Sequence, residues 1–200
     1  ARGSATETTS SSLFHMHPSA NLTVGKFVVV NVVTDNYVTS KGASTEHTVT
    51  DSQSNVWTKA VEYTETDGVA ADGVTVSTWY TVITTQIGTG DEIRIALANA
   101  VARKIISTLE ATITKSYVTA AAVGVGQTSL TATVTGLSLY ESYLLISNTG
   151  AEGSDTTKTA GSNYTEMFDL VATDIGQHVQ RRITSTPCFF EQDTVSSSSW

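Results

Sequence analysis

The residues that could do chemistry are few and scattered along this chain of 200 residues. His15 and His17 flank Met16, so an extended segment would place both imidazoles on one side, at a spacing that metal ligands use. No third ligand is indicated by the sequence. His47 and His178 stand alone in predicted strands, where a hydrogen-bonded structural role is the better interpretation. We therefore predict no metal site and no cofactor.

Nucleophiles and carboxylates are abundant, but none forms a recognisable catalytic motif. The chain has no Gly-x-Ser-x-Gly elbow. Its aspartates lie mainly in predicted loops without the spacing of a calcium-binding loop, so turn formation explains them better. Cys188, the sole cysteine, follows Pro187 and is interpreted as a small buried apolar residue. A glycosidase carboxylate pair has no local signature and stays open, but we predict no catalytic residues and no enzyme activity.

Large apolar side chains suggest a contact between subunits. Leu13, Phe14 and Met16 end a Thr/Ser-rich N-terminal segment that has no periodicity of its own. Trp79 and Tyr80 lie in a predicted strand with large residues on both faces. Because exposed apolar groups of this kind favour burial against a partner, we predict that these five residues contact a neighbouring subunit.

Aromatic residues also allow a different use, because exposed aromatic rings can stack on sugars. Tyr37, Trp79 and Tyr140 are the candidates for such a sugar-binding surface. This alternative makes the protein a carbohydrate-binding or surface-adhesion module, and it stays open beside the subunit-contact hypothesis.

Composition restricts the fold that must position these residues. Threonine and serine supply 58 of the 200 residues, and valine is the commonest apolar type. Thr and Val are stiff at χ1 and suit a pleated, half-buried surface, so the chain is predicted to be all-β. Only 15% of the residues are charged, which leaves hydroxyl groups to cover the surface.

Charge and hydropathy exclude two classes of partner. The net charge is −8, and the only basic clusters are the pairs 103–104 and 181–182, so we expect no nucleic-acid binding. The longest apolar run, residues 27–33, is far shorter than the roughly 20 residues of a membrane helix. We therefore expect no membrane insertion.

Alternation and turn signals divide most of the chain into short strands. The predicted strands cover residues 27–33, 45–51, 55–65, 74–84, 92–97, 101–115, 129–135, 140–148, 164–172, 178–186 and the chain from 189 onward. The run at 27–33 is typical of a strand buried on both faces. Turns are predicted at 149–153 and 173–176, where glycine and aspartate occur.

Two hairpins follow from this pattern. The first joins 45–51 to 55–65 through a polar turn, with Trp57, Val61 and Tyr63 on the core side of the second strand. The other joins 92–97 to 101–115. Residues 96–110 also carry apolar groups four apart, as in a helix, but their β-branched residues favour a strand.

The predicted fold is an antiparallel β-sandwich, either jelly-roll-like or built from two packed sub-sandwiches. Residues 1–20 form an extended N-terminal arm, which either reaches a neighbouring subunit or folds back on its own sheet. Residues 21–118 form the first part of the sandwich. The small, glycine-bearing segment 119–127 is a linker, and residues 128–200 form a second part that can complete the same domain.

Four stretches carry a resemblance to a known class of protein. They are GKFVVVNVVTDN at 25–36, TVTDSQSNVWTK at 48–59, DGVTVSTWY at 72–80 and GDEIRI at 90–95. Together they cover about residues 24–114, and residues 143–153 are similar to a later portion. The chain resembles β-sandwich structural proteins of tailed-bacteriophage virions. The matched features are strand and turn patterns around a tryptophan, which bacterial surface proteins and carbohydrate-binding modules share.

The resemblance implies a non-enzymatic structural component of a viral particle, either a capsid decoration protein or a tail protein. The expected partners are copies of itself and other virion proteins, and the expected location is the virion. A cell-surface glycan would be the partner if the sugar-binding alternative holds.

Overall fold

The computed structural model describes residues 1–36, 40, 42–66, 73–114, 129–132, 142–152, 158–160, 163–184 and 191–195. The protein is all-β and its sheets are antiparallel, as composition predicts. Within these ranges no helix is long and apolar enough to cross a membrane. The jelly-roll connectivity stays a prediction.

The described residues contain fifteen strands. The first nine are β1 Gly3–Glu7, β2 Ser11–Met16, β3 Phe27–Asp35, β4 Gly42–Ala43, β5 His47–Asp51, β6 Thr58–Glu65, β7 Val74–Val82, β8 Ile93–Val101 and β9 Lys104–Ala111. The other six are β10 Ser129–Ala132, β11 Tyr143–Glu152, β12 Lys158–Thr159, β13 Thr165–Ala172, β14 Ile175–Thr184 and β15 Glu191–Val195.

Three sheets stack on one another. The six-stranded central sheet has the order β1-β9-β3-β7-β6-β4. The three-stranded sheet β2-β8-β5 covers one of its faces, and the three-stranded sheet β11-β14-β13 covers the other. A further small sheet has the order β10-β15-β12.

The middle strands of the central sheet are buried on both faces, as the sequence of β3 predicts. Val28, Val30 and Val32 pack against the β2-β8-β5 sheet, while Phe27 and Val29 pack against β14. Because successive side chains of a strand point to opposite faces, only a strand between two apolar layers can be apolar at every position. The three-layer stack therefore explains the continuous β-branched run.

The N-terminal segment folds back on its own chain, which is the alternative that the sequence leaves open. Strand β1 pairs with β9, and β2 pairs with β8, so the segment forms one edge of two neighbouring layers. The ammonium group of Lys104, whose side chain is fully buried, donates hydrogen bonds to the carbonyls of Thr9 and Val101, each at 2.7 Å. This buried cation ties the β1–β2 connection to the central sheet.

The first predicted hairpin is wrong, although both of its strands exist. Strand β5 pairs with β8 in the outer sheet, whereas β6 pairs with β7 in the central sheet. The polar segment between them is a corner between layers. The Asp51 carboxylate holds this corner by accepting hydrogen bonds from the backbone N–H of Gln53 at 2.7 Å and the indole N–H of Trp57 at 2.6 Å.

The second predicted hairpin is also wrong, because its two strands again lie in different sheets. Residues 96–110 are extended rather than helical, as predicted, and they contribute to β8 and β9. These two strands lie in different sheets, because the chain crosses from the outer layer to the central layer at residues 102–103. A short loop can carry the chain to the facing sheet as well as close a hairpin, so loop length alone could not separate the two.

A register irregularity in β6 changes which side chains are buried. Lys59 lies opposite Trp79, but Val61 rather than Ala60 lies opposite Thr78, so the alternation shifts by one residue. As a result Glu62 and Thr64 are buried, whereas Val61 and Tyr63, predicted to face the core, are only half-buried. The β-bulge therefore carries a charged residue into the interior.

The later part of the chain packs onto the central sheet. Ala172 and Ile175 share a core cluster with Val33 and Ile105. Gly150 lies inside β11 rather than in the predicted turn at 149–153, and a Cβ there would meet Val76 Cγ2 at 2.5 Å. Glycine is thus required for the close approach of β11 to the central sheet. The predicted turn at 173–176 is found at residues 173–174, and the linker at 119–127 lies outside the described residues.

Candidate functional site

The five residues predicted to contact a neighbouring subunit differ in exposure. Phe14, Met16 and Trp79 are 3%, 1% and 7% exposed, and all three belong to the core between the β2-β8-β5 sheet and the central sheet. Tyr80 is half-buried and stacks on Phe27 with ring centroids 5.6 Å apart. Leu13 is 52% exposed. The chain thus covers three of these side chains itself, and Leu13 retains the most surface for a partner.

The burial of Trp79 corrects one part of the sugar-stacking alternative. Its ring faces the core, and the Lys59 ammonium lies 5.1 Å from the ring centroid. A ring covered in this way has no open face for a sugar. Tyr37 and Tyr140 lie outside the described residues.

Beside Trp79 lies a largely buried group of polar side chains that no motif in the sequence indicates. We call it the polar cluster. It consists of Thr34, Ser44, His47, Lys59, Glu62 and Ser77. The bulge in β6 brings Glu62 and Lys59 to one face of the central sheet. Strands β3, β5 and β7 supply Thr34, His47 and Ser77, and the segment between β4 and β5 supplies Ser44.

Glu62 is the centre of the polar cluster, and its side chain is fully buried. Its carboxylate accepts hydrogen bonds from the Ser44 hydroxyl at 2.9 Å and from the backbone N–H groups of Glu46 and His47. The Lys59 ammonium lies 2.9 Å from the second carboxylate oxygen. Glu62 therefore joins the segment that enters β5 to β6.

His47 lies between two hydroxyl groups. Its Nε2 is 2.9 Å from Thr34 Oγ1 and its Nδ1 is 2.7 Å from Ser77 Oγ. The indole N–H of Trp79 donates to the same Ser77 oxygen at 3.1 Å. Both imidazole nitrogens are thus satisfied inside the protein, as a buried polar group requires.

Burial and neighbouring groups together determine the ionisation of His47 and Glu62. Burial lowers the pKa of His47 to about 4, because the charged imidazolium would lose its hydration; the nearby Glu62 opposes this shift only partly. Burial by itself would raise the pKa of Glu62, but His47, Lys59 and the hydrogen bonds from Ser44 and Glu46 outweigh it and hold that pKa below its ordinary value. At neutral pH the cluster therefore contains a neutral imidazole beside a carboxylate paired with Lys59.

The polar cluster superficially resembles a hydrolase site, since a serine and a histidine lie within hydrogen-bonding distance. Two features make that chemistry inaccessible. The imidazole meets the Thr34 hydroxyl where a triad has a carboxylate, and Glu62 contacts the backbone of His47 instead. Ser77 is fully buried and His47 is 1% exposed, so a substrate cannot reach them. What this arrangement does is hold four strands, β3, β5, β6 and β7, and the segment before β5 together.

We expect the polar cluster to make the protein less stable in mild acid. The unfolded imidazole takes up a proton near pH 6.5, whereas folded His47 stays neutral down to about pH 4, so the unfolded state binds more protons between these values. Stability therefore rises with pH: the His47 contribution is fully present above pH 6.5 and is lost as the pH falls to about 4. The expected loss in the free energy of unfolding is about 3 kcal/mol.

Urea denaturation of the wild type and of His47→Gln across this pH range measures the effect. Gln cannot titrate, so the variant should lose less stability than the wild type between pH 7 and pH 4, whatever its stability at pH 7. Parallel pH profiles for the two proteins would contradict the assignment to His47.

The remaining sequence candidates lie outside the polar cluster. His15 and His17 lie on the exposed face of the N-terminal segment, whereas His178 is buried in β14, with its Nε2 3.5 Å from a carboxylate oxygen of Glu166. Cys188 lies outside the described residues.

Comparison with known proteins finds no relative. No family model matches the chain, and no curated protein or solved structure matches it either.

Proposed function

We propose that this protein is a non-enzymatic structural component of a viral particle, a capsid decoration or tail protein that makes contacts between subunits. The observation that carries the proposal is Leu13, a large apolar side chain left 52% exposed on β2. Strand β2 is the outer strand of its three-stranded sheet as far as the described residues extend. An apolar side chain on an open strand edge is suited to pairing with a second chain.

The composition of this edge supports the same use. Strand β2 contains serine, leucine, phenylalanine, histidine and methionine, but no Asp, Glu, Lys or Arg. Natural proteins commonly place charges on open strand edges to prevent pairing, so an uncharged edge is suited to a specific partner. The resemblance to phage virion β-sandwich proteins agrees with this use, and a low charge density favours burial between subunits.

One of the three candidate residues of the sugar-binding alternative, Trp79, lies in the core. Tyr37 and Tyr140 are what remains of that hypothesis. We therefore favour assembly.

The contact is tested by changing Leu13 alone. Leu13→Asp should leave the fold intact, because this side chain is largely in solvent, but it should weaken self-association at least tenfold by placing a charge in the contact. Sedimentation velocity over a range of concentrations measures the association. Val24→Asp is a matched control, since Val24 is 55% exposed and lies outside β2.

A wild-type chain that stays monomeric at every concentration, or a Leu13→Asp variant that associates normally, would exclude β2 as a self-contact. Antibody labelling of purified particles that carry this sequence tests the virion assignment directly, and unlabelled particles would contradict it.

A further inference from the structure

Two histidines lie side by side at the end of β2: His15 is in the strand, and His17 directly follows its last residue. Phe14 and Met16 point into the core, so His15 and His17 point to solvent because side chains alternate along a strand. Their ring centroids are 6.0 Å apart, with the rings nearly perpendicular. The two imidazoles are thus neighbours on one exposed surface.

Strand pairing brings a carboxylate to the same place. In the antiparallel register His15 lies opposite Arg94 and Met16 opposite Ile93, so Glu92 comes next to His17. One ligand atom each from His15, His17 and Glu92 lies within 4.8 Å of the other two. The distance from His17 Nε2 to Glu92 Oε1 is 3.9 Å.

Neighbouring groups orient two of the three ligands. His17 Nδ1 is 2.9 Å from the carbonyl oxygen of Asp91. A carbonyl only accepts hydrogen bonds, so Nδ1 carries the proton and the Nε2 lone pair is available to a metal. Arg94 donates from Nε to Glu92 Oε2 at 2.7 Å, which leaves Oε1 directed toward His17.

The loop that carries Asp91 and Glu92 is itself held in place. The Asp91 carboxylate accepts hydrogen bonds from the Gly88 backbone N–H and from the Gln53 amide, each at 2.7 Å. The backbone N–H of Glu92 donates to the Ser52 hydroxyl at 3.1 Å. The position of Glu92 therefore depends on a fixed turn and not on a freely moving loop.

We propose that His15, His17 and Glu92 bind a divalent transition-metal ion, with zinc as the best match. Two imidazoles and one carboxylate are a common ligand set for zinc, and water completes the four-coordinate geometry. In such a site the ligand atoms stand about 3.3 Å apart, so small rotations of these partly exposed side chains bring them within reach of one ion. The bound ion would connect β2 to the loop before β8 and so fasten the N-terminal segment to the protein.

Isothermal titration calorimetry with zinc chloride and the full chain tests the proposal. We expect saturable binding of one ion per chain. His17→Gln and Glu92→Gln should each weaken binding by at least about tenfold, since even residues that only orient ligands contribute 10–100-fold to metal affinity. Glu46→Gln, which changes a partly exposed carboxylate just before β5 and away from the three ligands, is the matched control and should bind like the wild type.

A second measurement reports the ligands directly. Electron paramagnetic resonance of the Cu²⁺-loaded protein should show two imidazole nitrogens in the wild type and one in His15→Gln or His17→Gln. Zinc should also raise the melting temperature of the wild type, because an ion that binds only the folded state stabilises it. Absence of saturable binding, or wild-type affinity in Glu92→Gln, would overturn the three-ligand site.

Discussion

Removing residues 1–20 is expected to unfold the protein rather than to release a dispensable arm. The truncation deletes β1 and β2 and takes Phe14 and Met16 out of the core. Full burial of these two side chains contributes roughly 1.5 to 3 kcal/mol each. The truncation also removes the Thr9 carbonyl that binds the buried ammonium of Lys104. These losses together approach the roughly 5 to 15 kcal/mol by which a domain is stable.

Circular dichroism and thermal melting of the full chain and of a chain spanning residues 21–200 measure this outcome. A point variant separates loss of the core from loss of the backbone pairing: Met16→Ala should cost about 2 to 5 kcal/mol. Leu13→Ala is its control on the same strand and should change stability by less than about 0.5 kcal/mol, because Leu13 lies largely in solvent. A truncated chain that melts like the full chain would contradict the role of β1 and β2.

The second large loss of stability is expected when Glu62 is replaced. Replacing it by alanine leaves Lys59, the Ser44 hydroxyl and two backbone N–H groups without their acceptor in a buried site. Each buried donor left without its acceptor costs about 1 to 3 kcal/mol, and the Lys59 ammonium, whose side chain is 26% exposed, loses its partner as well, so we expect a total loss of at least about 3 kcal/mol. Urea denaturation should show this loss in the free energy of unfolding.

Two further variants identify the cause of the stability loss in Glu62→Ala. Glu62→Gln retains one hydrogen-bond acceptor and the side-chain volume, so it should be less harmful than Glu62→Ala. Glu46→Gln, next to the polar cluster but partly exposed, should change stability little. If Glu62→Ala were as stable as Glu46→Gln, the polar cluster would not be what joins these strands.

The class of fold followed from the sequence because it depends on local preferences. The content of Val and Thr predicts strands, and the spacing of turns predicts many short ones. The apolar run of β3 also indicates burial on both faces, which the three-layer stack confirms. These properties are encoded residue by residue, so no knowledge of the partner strand is needed.

Strand pairing could not be predicted in the same way. The polar corner after β5 and the short loop after β8 look like hairpin turns, but both carry the chain to another sheet. Which sheet receives a strand depends on the apolar faces available in three dimensions, and these lie far away in sequence. Whether the N-terminal segment folds back on its own chain also depended on distant contacts, since β8 and β9 supply its partner strands.

The sequence by itself determined that His15 and His17 share one face, because alternation is a property of a single strand. Tertiary structure alone supplied Glu92, which lies 75 positions beyond His17 and reaches it through antiparallel pairing. It likewise decided the interior position of Glu62, since a bulge in β6 reverses the alternation that the sequence predicts. The physical reason is common to both: side-chain direction along one strand is local, whereas register and bulges are set by the neighbouring strand.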